Sequence, residues 1–478
     1  MTAGTPSSIG ALFLDQCDIY ADATALAFVD KTDVKTISYA RLARIVKEMA
    51  GGLAAHGLSS GMRVLIVGGN SPEWVFSYFA VQVCGGIDVA LNPEISPATI
   101  VAAVRRLRIG MAIVEDPDLA EKLRKVTGIR TYRMSWKRDQ KGNLSSLKKS
   151  FSLLGPGFKR RHPDDTASIL FKKSDLELRD PGGIILKHKA ILANLDAFGS
   201  TLPTLENDRF LLRLPLWHSS GRLGLLTALS KGCELQLSRD DLVDDCMRMQ
   251  PTVAMTRPET LADLYIRISQ GRDSSGVIST LLLRGYLWFG TQSMLLLGHL
   301  SGQKAVFKPA ERQSVFDLFL DVSLLVVFLP FKMIGDALFG ARLRKRLGGN
   351  LKSVLTGGAG IPERLDFFLG MLGISLLAGY WKTEAAHVIS SRILEYTGQR
   401  SRLQPGTVGP PLPGAEIKIV QAGHDVSHTP GAIGEIMIRG DFLFSGYLDP
   451  ARASVDSSGW FYTEDRGCLS DQGELRII

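Results

Sequence analysis

The chain has 478 residues, 45% of them hydrophobic and 22% charged, which suffices for roughly two to four domains around a sizeable core. Its net charge of +8 is spread too thinly to point to nucleic acid, but it suits an anionic ligand or an anionic membrane surface. The five cysteines, Cys17, Cys84, Cys233, Cys246 and Cys468, show neither metal-site spacing nor a disulfide framework, and residues 1–10 lack the basic and apolar parts of a signal peptide. The expected location is therefore cytoplasmic.

In chain order, Ser38 reads as the N-cap of a helix that carries Leu42, Ile45, Val46, Met49 and Leu53 at helical spacing and closes at Gly57. A strand is expected at Arg63–Val67. Gly68-Gly69-Asn70-Ser71-Pro72-Glu73-Trp74 follows, where Asn70 or Ser71 caps a second helix with Pro72 in its first turn. That helix ends at Gly85-Gly86. A strand at Ile87–Leu91, a helix over residues 97–107 and a strand at Met111–Val114 come next. Strands alternating with helices predict a parallel sheet with helices on its faces, binding ligands at the carboxyl ends of its strands.

Residues 137–161, rich in Lys, Arg, Ser and Gly, read as a surface linker. A strand over 165–171 then leads into the stretch 172–183, where a phosphate-gripping loop would be expected. Such a loop needs glycines and hydroxyls whose backbone N–H groups converge on the anion. Here Asp175, Glu177 and Asp180 bring negative charge, partly offset by Lys172, Lys173 and Arg179, so the stretch is a poor cradle. His218, beside Trp217 in a loop after a strand, reads as a structural histidine or as part of a substrate-pocket wall. Farther on, an apolar run over 351–355 leads into Thr356-Gly357-Gly358-Ala359-Gly360, and a second over 374–378 leads into Gly379-Tyr380-Trp381-Lys382-Thr383-Glu384. The second motif offers a ring to stack on, a hydroxyl donor and a hard oxygen ligand, the three things a magnesium-bound nucleotide needs. Both motifs also read as plain strand-to-loop junctions of an α/β protein. Beyond residue 404, Pro and Gly punctuate short alternating strands, the pattern of a small β-rich subdomain.

Taken in order and spacing, these pieces resemble one family. Asn70-Ser71-Pro72-Glu73-Trp74, Leu214-Pro215-Leu216-Trp217-His218, Thr356-Gly357-Gly358-Ala359, Gly379-Tyr380 with Thr383-Glu384, Pro405-Gly406-Thr407-Val408-Gly409, Gly434-Glu435-Ile436, Ser445-Gly446-Tyr447 and Gly459-Trp460-Phe461-Tyr462-Thr463-Glu464-Asp465 look like the adenylate-forming superfamily. Within it they are most similar to the long-chain fatty acyl-CoA synthetases. The resemblance implies an α/β fold, the large N-terminal domain of the adenylate-forming enzymes. That domain has two helix-flanked, mostly parallel sheets, placed at residues 1–403, and a small β-barrel-like subdomain at 404–478.

It also implies a two-step reaction. A fatty acid or other carboxylic acid attacks the α-phosphate of ATP with Mg2+ present, and coenzyme A then displaces AMP, with catalysis resting on positioning and charge neutralisation. By resemblance, Gly357, Gly358 and Ala359 border the adenine and Tyr380 stacks on it. Thr383 touches phosphate, Glu384 holds magnesium and Asp465 accepts the ribose hydroxyls, while Trp217 and His218 lie near the acyl pocket. Thr383 and Glu384 are the expected catalytic pair.

The departures bear on activity. Gly182 stands where the family's phosphate loop has its lysine, Trp381 where it has a glycine, and Lys382 where it has an apolar residue. The family's mobile C-terminal domain is expected to be absent, because the sequence stops at Ile478. Two functional expectations follow: a ligase of impaired activity, or a pseudoenzyme that holds nucleotide or acyl ligand in a regulatory or scaffold role. The apolar region 276–340 reads as helices over the acyl tunnel or as a peripheral, monotopic membrane contact helped by Lys332, Arg342, Arg344, Lys345 and Arg346. Its uninterrupted run, 322–331, bracketed by Asp321 and Pro330, is too short to span a bilayer.

Overall fold

The computed structural model describes residues 6–135, 144–147, 161–172, 182–202, 206–238, 240–270, 277–300, 307, 315–357, 360–392, 405–421, 426–427, 429–452 and 455–478. The first α/β unit is a six-stranded sheet in the order Arg130–Arg133, Met111–Val114, Arg63–Val67, Ile87–Leu91, Thr166–Leu170, Ile184–Lys187. All its pairs are parallel except the last. The local signals act as expected. Ser38 accepts from Arg41 N–H to cap the Tyr39–Ala55 helix. Ser71, rather than Asn70, accepts from Trp74 N–H at the start of Pro72–Cys84, which ends on Gly85 in the left-handed region. Asn70 instead spans to the neighbouring unit, donating to the Leu214 carbonyl and accepting from Leu216 N–H.

The second unit is an eight-stranded sheet, in the order His387–Ser391, Ser375–Lys382, Ser353–Gly357, Val253–Met255, Arg209–Leu212, Glu234–Leu237, Thr24–Asp30, Asp33–Ser38. Its six inner strands are parallel and both edge strands antiparallel. A five-stranded antiparallel sheet, Val426–Ser427, Glu416–Val420, Gly434–Arg439, Phe461–Leu469, Leu475–Ile477, closes the structure. The two α/β units share a charged centre. Arg222, on the helix Ser219–Ser230, reaches Asp88 of the first sheet, and Ser168 and Gln82 also bond that carboxylate.

Two local expectations change. The strand expected over 374–378 continues to Lys382, so Gly379, Tyr380 and Trp381 lie on it rather than in a loop. Parallel pairing to Ser353–Gly357 on one side and antiparallel pairing to His387–Ser391 on the other keeps it extended. The apolar region forms two helices, an inner one, Val277–Leu300, and an outer one, Val315–Gly335. Asp321 and Pro330 lie inside the outer helix instead of bracketing it. By length and composition, helix 316–346 is long and apolar enough to cross a membrane, with a mean hydropathy of 2.0 in its most apolar window. The inner helix is packed on the body of the fold, whereas the most apolar window of the outer one is 6% buried.

Candidate functional site

The site forms at the carboxyl ends of Ser353–Gly357 and Ser375–Lys382, where a parallel sheet directs its loops toward a ligand. Strand alternation divides the Gly379–Lys382 motif between two faces. Tyr380 and Lys382 point one way, and both end on Asp465: the Tyr380 hydroxyl bonds Oδ2, and Lys382 Nζ lies 2.9 Å from the same oxygen. Lys382 Nζ also donates to the Thr463 carbonyl at 2.5 Å. Asp465 is aimed there by an irregularity in the Phe461–Leu469 strand. Its register shifts opposite Glu435–Met437, Glu464 takes a φ of 64°, and Thr463 Oγ1 bonds the Ile436 carbonyl. Trp381 points the other way. Its indole lies directly against Gly357 and Gly379, so close that a Cβ on Gly357 would sit 2.5 Å from Cε2, and one on Gly379 would sit 2.4 Å from Nε1.

Beyond the strand, a single 3-10 turn, Thr383–Ala385, closed by Ala386 at φ 52°, reverses the chain into His387–Ser391. It buries Glu384, whose side chain is 1% exposed. Glu384 Oε1 is held by Lys172 Nζ at 2.5 Å and by the Tyr447 hydroxyl at 2.8 Å, while Oε2 has no hydrogen-bond partner among the described residues. Burial works against its ionisation. The charge and hydrogen bond of Lys172 and the bond from Tyr447 outweigh it and hold the carboxyl below its usual range. Thr383 Oγ1 lies 3.2 Å from Ser219 Oγ, which lies 3.2 Å from His387 Nδ1. His218 lies, as expected, in the loop after the strand Arg209–Leu212 and caps the helix that Ser219 begins, its side chain accepting from Ser220 N–H.

A cavity of about 390 Å³ opens here, lined among others by Lys172, Trp217, His218, Arg257, Trp381 and His387. Its two histidines are hard to protonate. Burial, then the nearby charges of Arg257 and Arg222, lowers His218 to about 4, and burial lowers His387 well below its usual 6.5. Elsewhere burial also lowers His188, which accepts from Ile9 N–H, to about 4. Above pH 6.5 all three are neutral both folded and unfolded. Below it the unfolded chain binds protons that the folded chain refuses. Stability is thus full above pH 6.5 and falls as the pH drops toward 4, by on the order of 3 kcal/mol for each of His218 and His188, with His387 acting in the same direction. Urea midpoints at pH 7, 5.5 and 4.5 check this, and an unchanged midpoint at pH 4.5 would overturn the burial argument.

Of the residues singled out in the sequence, Gly357, Thr383, Trp217 and His218 line this cavity. Tyr380 bonds Asp465, and Glu384 and Asp465 pair with Lys172 and Lys382, two of the residues that line it. Gly358, Ala359 and loop residues 173–181 lie outside the described residues. Among the described residues, the Trp381 indole covers Gly357, which the resemblance places at an adenine, and Glu384 and Asp465, which it places at magnesium and ribose, are each paired with a lysine. Sequence reasoning missed Ser219 and His387, because no motif joins residues separated by 168 positions. It also missed the role of Lys172, which the sequence presents only as a loop cation.

Two mostly parallel, helix-covered sheets and a curled antiparallel sheet around this edge define the large domain of an adenylate-forming protein. The chain belongs to the AMP-binding enzyme family, whose profile matches residues 13–171 and 180–448. Among curated proteins, it is 23% identical to a chloroplastic long-chain-fatty-acid–[acyl-carrier-protein] ligase of Arabidopsis thaliana, over 94% of this chain and 65% of that protein. It is 24% identical to long chain acyl-CoA synthetase 3 of the same plant, over 92% and 65%. It is 26% identical to a long-chain-fatty-acid–CoA ligase of Rattus norvegicus, over 99% and 64%. The chain therefore spans about two thirds of the length of these relatives. Among solved structures, the o-succinylbenzoate CoA synthetase of Bacillus subtilis superposes with a TM-score of 0.67 at 20% identity, covering 98% of this chain and 77% of the other. The N-terminal domain of FACL13 from Mycobacterium tuberculosis gives 0.68 at 16%, covering 98% and 99%. At these identities the superpositions establish the fold.

Proposed function

We propose that this chain is a relative of the long-chain acyl-CoA synthetases in which ATP-dependent activation of a fatty acid is impaired, its adenylate site held closed by its own side chains. One observation carries the reading: Lys172 on Glu384 at 2.5 Å and Lys382 on Asp465 at 2.9 Å occupy the two carboxylates the reaction needs. The ammonium on Glu384 supplies the countercharge that magnesium would otherwise bring, and the one on Asp465 takes the acceptor that ribose hydroxyls would otherwise use. If the site opens, ATP, Mg2+ and coenzyme A are its co-reactants, with Glu384 Oε2, unbonded among the described residues, the oxygen for the metal. A second reading, a non-catalytic protein that holds an acyl ligand, is favoured by the cavity. It keeps about 390 Å³ open beside Trp217 and His218, with the cations Lys172 and Arg257 in its wall to meet a carboxylate. Peripheral contact with a membrane from the cytoplasmic side completes the reading, supported by the exposed apolar outer helix.

Pyrophosphate release from ATP and Mg2+ with a long-chain fatty acid and coenzyme A is expected to stay at the level of the blank. A thermal-shift titration should show stabilisation by the fatty acid and none by ATP with Mg2+. Fatty-acid-dependent pyrophosphate release over many turnovers would sink the reading.

A further inference from the structure

The outer helix is built inside out. Its less exposed positions, Asp321, Leu325, Phe328, Lys332, Gly335, Asp336 and Phe339, recur at heptad spacing and face the inner helix, as the ring contact of Phe289 with Phe328 at 5.5 Å records. Three of those inward positions are charged and are satisfied there. Asp321 Oδ2 lies 3.2 Å from His299 Nδ1, Lys332 Nζ lies 2.5 Å from Asp336 Oδ2, and the Tyr286 hydroxyl donates to Asp336 at 2.7 Å. The side chains of Asp321 and Lys332 are 15% and 16% exposed. Outward, the helix presents Phe316, Phe319 and Val326, at 69%, 70% and 68% exposure, with Val322, Val327 and Ile334 among their neighbours. A surface helix in water buries its apolar stripe and hydrates its polar one. This helix does the reverse, as a segment whose outer solvent is hydrocarbon must, because lipid offers polar groups no partner.

We infer that this face lies in the plane of an anionic lipid surface, monotopic rather than spanning. The inference rests on the peripheral-contact reading and adds the segment, its orientation and the headgroup charge. The orientation follows from packing. The pairs 286–336, 289–331 and 299–321 run the two helices antiparallel along much of their length. The inner helix is seated on the helix Glu363–Met371 through Gly290 against Met371. A helix backed along its length by a folded body cannot cross a bilayer, but it can lay its free side in one. The charge follows from the helical continuation 336–346. Its exposed Arg342 and Lys345 stand at the end of the apolar face, where anionic headgroups would meet them. Trp288 on the inner helix, 53% exposed and edge-on to Phe328, has the amphipathic ring typical of the interface between headgroup and hydrocarbon.

The test is flotation with vesicles of phosphatidylcholine alone and of phosphatidylcholine mixed with phosphatidylserine. The whole chain should float with the mixed vesicles, lose that binding in high salt, and be released by alkaline carbonate. The variant F319E/V326E, which changes only exposed side chains, should keep its circular dichroism and urea midpoint yet bind about tenfold more weakly or worse. R342E/K345E should lose the preference for phosphatidylserine. Binding that ignores F319E/V326E would leave peripheral contact standing and overturn this face as its site. Resistance to carbonate would overturn the in-plane orientation. A chain that floats with neither vesicle overturns both readings, and a vesicle-free dimer that F319E/V326E dissolves overturns this face as the lipid site by assigning it to a second copy.

Discussion

Exchanging Arg222 for methionine should lower the unfolding free energy by on the order of 3–5 kcal/mol, the largest loss expected of any single substitution here. Arg222 and Asp88 are 5% and 0% exposed at their side chains, and they join the two α/β units. The guanidinium lies over the rings of Trp74 and Tyr78, at 5.6 and 5.1 Å, and donates to Ser168 Oγ at 2.9 Å. Ser168 and Gln82 in turn bond Asp88 Oδ1 at 2.5 and 2.8 Å. Burial pushes the Asp88 carboxyl upward, and Arg222 is the largest of the influences that oppose this. Methionine removes the countercharge, leaving a buried carboxyl that must take up a proton or remain unpaired. The double variant R222M/D88N should recover part of the loss, because the cost comes from the orphaned charge rather than from the missing contact area. Urea denaturation of the two single variants and the double completes the cycle. A methionine variant within about 1 kcal/mol of the parent would show the pair to be dispensable.

That pair also marks the limit of what the sequence discloses. The alternation of strand and helix in residues 38–114 is legible because caps and glycines are local signals: Ser38, Ser71 and Gly85 do what their chemistry dictates within three or four residues. Arg222 and Asp88 are 134 positions apart, and nothing near either announces the other. The same holds at the site. The Thr356–Gly357 and Gly379–Glu384 segments are recognisable from composition. That Tyr380 and Lys382 both end on Asp465, however, depends on the strand running on to Lys382 and on an irregularity at Glu464 in a different sheet. The outer helix was misjudged for a related reason. Asp321 and Pro330 look like helix boundaries in a linear reading, yet Asp321 is satisfied by His299 across the hairpin, and the helix carries Pro330 within it.

Replacing Trp381 with glycine and Lys382 with methionine together should convert a protein that ATP with Mg2+ does not stabilise into one that it does. The indole rests on Gly357 and Gly379, and its Nε1 is buried without a partner among the described residues. The ring therefore fills space without being fixed by a polar bond. Its removal should cost the free protein about 2–3 kcal/mol, less than a fully buried aromatic, because the ring is only half-buried. Losing Lys382 releases Asp465 from its ion pair and leaves it bonded to the Tyr380 hydroxyl, an arrangement open to a ribose diol. At nucleotide concentrations about a hundredfold above the dissociation constant, the double variant should regain roughly 2.7 kcal/mol. Thermal-shift curves of parent and variant, with and without ATP and Mg2+, give the comparison directly. The substitution K172M separates the two halves of the lock. It should leave adenosine-dependent stabilisation of the double variant intact, while raising the Glu384 carboxyl toward neutrality, because burial then acts on it without the opposing ammonium. A double variant as indifferent to ATP as the parent would place the obstacle outside the Gly357–Trp381 ledge, and the closed-site reading would then rest on Lys172 and Glu384 alone.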